Sequence, residues 1–479
     1  MRRAPPLCWQ DLGWRSAPAP ATAPAAGAGL RECMDHRNTT RRVRAIVRRH
    51  GPTAPFWRRR VAFLGGAIVI GLVAFAFAEA ADWAARRFTM LERTWWWLPL
   101  LLTPAGFAFF AWATRRFAPD ATGSGIPQVM AATRDAEHAM TSLTSAKTVV
   151  LKLILTIGAV LVGASTGREG PTVQVAASIL GYAHRLARVP IRASVFIAGG
   201  AAGVAAAFNT PLAGVAFAIE ELAAAYEQRM AVLVMAAVLI AGMTSLGIAG
   251  DYVYFGAMRS TLPLSQAVLA APVAGVVGGL AGGLFARLML AAGGSDWRPL
   301  VAVRRHKLVF AAACGLVVAV LGVTTGMTWG TGYDAARAAI TGSEIAWWYA
   351  PAKFATTLAT AIAGIPGGIF APSLSVGAGV GDLVRPIFPT APGGTIVLLG
   401  MVAYFTGVVR APLTAVIIIA ETTASRGLML PLLAAALIAD FTAQLVSKER
   451  LYHGLSLRFG TTQVQHESDD RGNGSGPRA

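Results

Sequence analysis

Gly167-Arg168-Glu169-Gly170-Pro171 interrupts one apolar stretch, and 201 positions later Gly368-Ile369-Phe370-Ala371-Pro372 interrupts another. The same shift lays Lys152 on Lys353, Thr156 on Thr357, Gly163 on Gly364, Gly199 on Gly400, Pro211 on Pro412, Leu212 on Leu413, Val215 on Val416 and Glu220 on Glu421. The register runs without a gap over about seventy positions. Coincident Gly and Leu are cheap in such a chain; lysine, glutamate and proline in one register are not. The sequence therefore predicts two structurally equivalent halves. Interrupted apolar segments at matching places in two halves point to the binding site of a transporter. The register does not tell parallel repeats from inverted ones.

Composition agrees with an all-α polytopic membrane protein. Of 479 residues, 55% are hydrophobic and only 14% charged, against about a quarter charged in soluble domains. Glycine supplies 52 residues. Disordered, fibrous and disulfide-scaffold classes are excluded, and Cys8, Cys33 and Cys314 have no metal or redox spacing. The net charge of +18 would suggest nucleic acid in a soluble chain, but the first 60 residues carry 13 Arg against Asp11, Glu32 and Asp35. Arg58, Arg59 and Arg60 abut the first apolar segment. This is the positive-inside pattern, and it predicts a cytoplasmic N-terminus.

Residues 1–57, rich in Pro, Ala and Arg, are expected to be a disordered cytoplasmic arm without a cleavable signal peptide, and Met34 is an alternative start. The membrane domain is expected over 58–455, its first repeat at about 61–250 and its second at about 262–455. Apolar segments lie near 61–81, 97–114, 147–166, 173–184, 193–219 and 230–249, then 265–294, 308–326, 345–364, 373–388, 395–420 and 428–446. Arg304, Arg305 and Lys307 mark a further cytoplasmic loop. Residues 456–479 read as a short polar cytoplasmic tail with no appended regulatory domain.

A third punctuated stretch, Gly123-Ser124-Gly125-Ile126-Pro127, precedes the other two. Proline is favoured at the first helical position, and glycine lets the backbone ahead of it turn sharply. Each stretch predicts a helix beginning within the membrane. A helix start leaves about four amides unsatisfied and carries roughly half a positive charge. Several such ends converging would form an anion site without a full positive charge to trap the ion.

These three motifs, in this order, resemble those of the CLC family of chloride channels and chloride/proton exchangers. Arg410-Ala411-Pro412-Leu413-Thr414 and Leu451-Tyr452 are similar to two later landmarks. The resemblance runs from about residue 60 to 455 and implies two inverted repeats of tilted and broken helices. It also implies a homodimer with one pathway per subunit, moving chloride and protons across a bacterial-type cytoplasmic membrane. By this resemblance the Ser124 and Tyr452 hydroxyls and the Ile369 and Phe370 amides coordinate the anion. The remaining filter backbone is Gly123, Gly125, Ile126, Pro127, Gly167, Arg168, Gly170, Pro171, Gly368, Ala371 and Pro372. Glu169 is the gate, and Glu221 is the glutamate that carries protons on the cytoplasmic side.

Elementary electrostatics supports the gate. A carboxylate is favoured at a helix N-terminus for the same reason as a halide, so Glu169 can compete for the anion site until protonation removes its charge. An ionisable residue in an apolar setting is costly and marks function. Arg168 beside it is expected in an internal ion pair. Glu220 and Glu221 end an apolar helix, where acids are disfavoured. The repeat pairs Glu220 with Glu421, which suggests that both are structural; proton transfer by Glu221 is what the resemblance implies, against a solvated acid pair at a membrane edge. Ser124 is also an ordinary N-cap residue, and its hydroxyl can accept from backbone while donating outward. Three points set this chain apart or stay open. Gln128 replaces a common Glu, Arg450 replaces a usual Pro beside the Leu-Tyr pair, and Lys152 and Lys353 either raise the local potential or neutralise buried acids. No His-Glu-x-x-His or Walker A pattern is present, so no enzyme, metal or cofactor is expected. The sequence predicts a voltage-independent-type secondary transporter exchanging chloride for protons, with a passive chloride channel as the alternative.

Overall fold

A computed structural model describes residues 54–222, 228–250, 254–258, 260–294 and 306–459. Most of the basic arm with Met34, Cys8 and Cys33, together with Arg304, Arg305 and the tail beyond 459, lies outside the described residues. Helices dominate the described residues, and apart from the single turn Ala136–Ala139 they fall into two runs of eight and a last short helix. The first comprises α1 (Ala54–Thr94), α2 (Pro99–Phe117), α3 (Ile126–Arg134), α4 (Ala146–Leu161), α5 (Glu169–Leu186), α6 (Ala193–Phe208), α7 (Pro211–Phe217) and α8 (Gln228–Ala249). The second comprises α9 (Leu264–Gly294), α10 (Lys307–Thr325), α11 (Tyr333–Ile340), α12 (Tyr349–Ile362), α13 (Phe370–Val384), α14 (Gly393–Val409), α15 (Pro412–Thr423) and α16 (Met429–Val446). A last helix, α17, covers 451–459. Each member of the first run has its counterpart eight places on.

The halves meet through reciprocal contacts. The amides of Leu413 and Thr414 donate to the two carboxylate oxygens of Glu220 at 2.9 and 2.7 Å. The amides of Leu212 and Ala213 donate to those of Glu421 at 3.2 and 2.9 Å. Each glutamate thus caps the helix of the opposite half. Gly167 and Gly368, equivalent in the repeat, likewise exchange two antiparallel backbone bonds of 2.8 Å. Contacts in which i meets j and j meets i define a pseudo-two-fold axis between the halves, as an inverted repeat requires. The unfavourable helix-end position of Glu220 is thereby explained: its carboxylate answers the helix start of the other half.

Five described helices are long and apolar enough to cross a membrane: α1, α8, α9, α10 and α16 contain these spans. They expose apolar side chains at helical spacing, such as Leu64, Ile68 and Leu72 on α1 and Leu430, Leu437, Phe441 and Leu445 on α16. Helices α6 and α14, by contrast, are buried along nearly their whole length. The expected continuous segments 193–219 and 395–420 are each broken in two. Asn209 and Arg410, equivalent residues, adopt left-handed φ values of 58° and 63°, and Pro211 and Pro412 exclude helical geometry from the residue before each. The first segment instead runs on to Thr94, well past the expected residue 81.

Small residues let the buried helices touch. A Cβ on Gly199 of α6 would sit 2.7 Å from the Ala177 Cα of α5, and one on Gly400 of α14 would strike the Gly381 backbone of α13. Close backbone approach through small residues is how helices associate where lipid is as apolar as the side chains. Gly400→Val and Gly199→Val are therefore expected to destabilise by at least the ~1–3 kcal/mol typical of overpacking. The check is a lowered thermal midpoint in detergent for both variants.

Candidate functional site

Three helices begin at the centre of the fold, at Ile126, Glu169 and Phe370, where the sequence places its three motifs. Backbone bonds stitch the loops ahead of them together. Gly123 donates to the Ile365 carbonyl at 3.2 Å and accepts from the Gly367 amide at 3.1 Å, while Gly167 pairs with Gly368. Two of the glycines are needed for this approach. Gly125 has φ 101°, and a Cβ on Gly170 would lie 2.5 Å from the Ser124 hydroxyl and 2.8 Å from the Ser124 carbonyl.

Five polar groups converge here or nearby with no hydrogen-bond partner. They are the Ser124 hydroxyl, both carboxylate oxygens of Glu169, the Tyr452 hydroxyl and both carboxylate oxygens of Glu221, together with the Arg168 Nε. Glu169 and Tyr452 are wholly buried and Glu221 nearly so. Orphaned buried polar atoms are rare and call for an explanation. The Glu169 carboxylate folds back against Gly167 and faces the amides of its own residue and of Ala371 without closing a bond to either. It therefore lies at the starts of both α5 and α13. Tyr452 on α17 turns its hydroxyl toward Ser124 and lies within electrostatic reach of both Glu169 and Glu221. Its ring centroid is 6.0 Å from that of Phe370, which also packs on Phe208, Phe217 and Phe405 at 6.3, 5.8 and 4.9 Å. Glu221 sits on a wide turn, Ala218–Leu222, that continues α7 one helical turn beyond Phe217. Such turns are frequent at functional sites.

Two expectations need correcting. Ser124 does not cap α3: the N-cap is Gly125, in a left-handed conformation with no side-chain cap bond. The serine hydroxyl is thus free of the helix start and faces the Tyr452 hydroxyl. Nor do the lysines neutralise acids. Lys152 Nζ donates to the carbonyls of Ala121 and Gly123 at 2.7 and 2.6 Å. Lys353 Nζ donates to those of Thr328 and Gly330 at 2.8 and 2.7 Å, and to the Ser165 hydroxyl at 2.9 Å. Each lysine ties down the irregular loop ahead of its half's third helix. Gln128 shares this work in the first half, donating to the carbonyls of Asp120 and Thr122 at 3.1 and 2.6 Å, which accounts for an amide in place of a carboxylate.

Arg168 occupies an ion pair, its Nη1 2.8 Å from the Asp82 Oδ1 and 2.6 Å from the Ala78 carbonyl, both on α1. Asp82 has no sequence motif around it and was not legible as part of the site. A second unread feature is Gly330-Thr331-Gly332, whose glycines repeat the positive φ of Gly123 and Gly125. It matches the first motif at a shift of 207 rather than 201.

Residues 106–444 match the family model described as voltage gated chloride channel. The chain belongs to the CLC family. Its relatives include the H(+)/Cl(-) exchange transporter ClcA of Yersinia pestis bv. Antiqua (strain Angola) and that of Yersinia pseudotuberculosis serotype O:3 (strain YPIII), each 31% identical over 83% of this chain and 87% of the relative. Among solved structures, this CLC member is similar to a slow cyanobacterial Cl-/H+ antiporter, with TM-score 0.74 and 24% identity over 85% of this chain and 99% of the other. It also resembles a CLC-type fluoride/proton antiporter, with TM-score 0.69 and 21% identity over 83% and 96% of the two chains. These structural likenesses establish the fold.

The lysine assignment is testable. Lys152→Met and Lys353→Met each leave at least two buried carbonyls unanswered, at about 1–3 kcal/mol apiece. Both are expected to lower the thermal midpoint, Lys353→Met at least as much because its bond to Ser165 is lost too.

Proposed function

We propose that this protein exchanges chloride for protons across a membrane, with Glu169 as the gate. The observation that carries the reading is a buried carboxylate with no hydrogen-bond partner, held at the meeting of two helix starts, beside two orphaned hydroxyls. An anion answers the same donors, so it and the ionised carboxylate exclude each other. Protonation of Glu169 removes its claim on the site and admits the anion. Tyr452 and Ser124 would donate hydroxyl bonds to the ion, and the first amides of α13, at Ile369 and Phe370, would complete its shell. Backbone dipoles hold a halide without the trapping strength of a full charge.

Glu221 supports exchange over a passive channel. Its carboxylate is buried and unpartnered on a turn that adjoins the Phe370 cluster, with Tyr452 between it and Glu169. We read it as the second proton station, on the cytoplasmic side. The relatives named as H(+)/Cl(-) exchange transporters agree with this reading. The basic segment ahead of α1 would lie in the cytoplasm, and the chain in a bacterial-type inner membrane. The short helices α7 and α15 expose Leu212 and Leu413 and are too short to span alone, which suits a homodimer that buries them, each subunit keeping its own pathway.

In liposomes carrying a chloride gradient, chloride movement is expected to drive an opposed proton flux, read as external pH. Chloride movement with no proton flux would return the passive channel. Glu169→Gln is expected to keep chloride flux while losing both pH dependence and proton pumping. Glu221→Ala should spare chloride flux and abolish proton movement; undiminished pumping would make Glu221 a bystander. A hydrogen bond to a charged group contributes about 1.5–3 kcal/mol, so Tyr452→Phe and Ser124→Ala should each weaken chloride binding about 10- to 100-fold by calorimetry.

A further inference from the structure

Arg168 is next to Glu169 in the chain, nine-tenths buried, and acts electrostatically on the Glu169 carboxylate. Left to itself, a guanidinium there would bind the ionised carboxylate and hold the gate shut at all but acid pH, since an opposite charge within about 4–6 Å favours the ionised form. The structure shows the Arg168 guanidinium hydrogen-bonded to α1 instead, while its charge still reaches Glu169. Its Nη1 meets the Asp82 Oδ1 at 2.8 Å and the Ala78 carbonyl at 2.6 Å, while its Nε has no partner. Asp82 is half exposed and lines a cavity of about 720 Å³, shared with Glu79, Arg86, Arg168, Tyr333 and Asp334. That cavity is a route by which water and salt reach the pair.

We propose that Asp82 is a positioning residue of the gate: by holding the Arg168 guanidinium on α1, it withdraws positive charge from Glu169 and so sets the pH at which the gate opens. This rests on the reading of Glu169 as a protonation gate. The groups around the pair are few. Asp82 comes from α1, and Tyr254 approaches Arg168 from the segment after α8. Glu169 is faced by Arg168, by Tyr452 of α17 and, at longer range, by Asp82 itself. Helix α13 brings Phe370 and Ala371; its one acid, Asp382, lies at the other end of the helix, against Arg385. Glu79, Arg86 and Asp334 line the wider cavity, where water screens them. Neither lysine intervenes, since both are tied to loop carbonyls.

The sign follows. Neutralising Asp82 frees Arg168 to favour the ionised gate, so more acid is needed to open it. The half-exposed position of Asp82 moderates the effect, and a shift of about 0.5–1 pH unit toward acid is expected, at the low end of what a nearby charge produces. The experiment measures chloride flux against pH in liposomes for the native chain, Asp82→Asn, Asp82→Glu, Glu169→Gln, and Asp82→Asn combined with Glu169→Gln. Asp82→Asn should move the midpoint to acid while reaching the native flux at the acid limit. Asp82→Glu should keep the native midpoint, and the Asn substitution should have no effect once Glu169 is Gln. An unmoved or alkaline-shifted midpoint, or a shift that survives in the Glu169→Gln background, overturns the assignment of Asp82. Undiminished pH dependence in Glu169→Gln alone overturns the gate reading instead. If Asp82→Asn carries no flux at any pH, Asp82→Ser takes its place; silence there as well makes Asp82 a folding residue and ends the proposal.

Discussion

Helices that start within apolar stretches need partners for their first amides, and much of the architecture serves to supply them. A backbone donor without a partner costs several kcal/mol at membrane depth, so each start must either be buried against protein or find an anion. The fold does both. At α7 and α15 the amides are answered permanently, by Glu421 and Glu220 of the opposite half. At α5 and α13 they face a carboxylate that is close but unbonded. The difference between a bonded cap and an unbonded one separates scaffold from candidate site.

The inverted repeat produces this division cheaply. One half supplies a single glutamate cap and a single anchored loop, and a two-fold axis doubles them. Lys152 and Lys353 do the same task in the two halves, each pulling carbonyls of an irregular loop onto an ammonium group buried among helices. The symmetry is broken at the helix starts themselves. Glu169 stands where the second half has Phe370, so one helix start carries a titratable group and the other an aromatic ring that packs four neighbours. A binding site on a two-fold axis thereby gains two unlike sides.

Much of this was legible in the sequence because the signals were backbone signals. Gly and Pro at fixed offsets announce helix starts, and the shift of 201 announces the axis. What stayed hidden depended on side-chain partners far apart in the chain. Nothing around Asp82 marks it as the counter-ion of Arg168, and nothing around Glu220 names Leu413 and Thr414 as the donors it meets. The capping alternative for Ser124 falls for a local reason: serine before a helix is an ordinary cap, but here Gly125, with its positive φ, is the cap and makes no side-chain bond. The breaks at Asn209 and Arg410 were missed because apolar residues continue on both sides, and only the proline two positions on betrays them. The loop at Gly330-Thr331-Gly332 escaped because its shift is 207, outside the register that revealed the repeat.

The central claim is that a halide and the ionised Glu169 contend for one place. Calorimetric titration of chloride into the purified protein, in buffers of differing ionisation enthalpy and across pH, tests this without any transport. The account predicts that chloride binding takes up protons, tightens as pH falls, and loses both properties in Glu169→Gln. Chloride binding of equal strength at every pH, with no proton taken up, would contradict it.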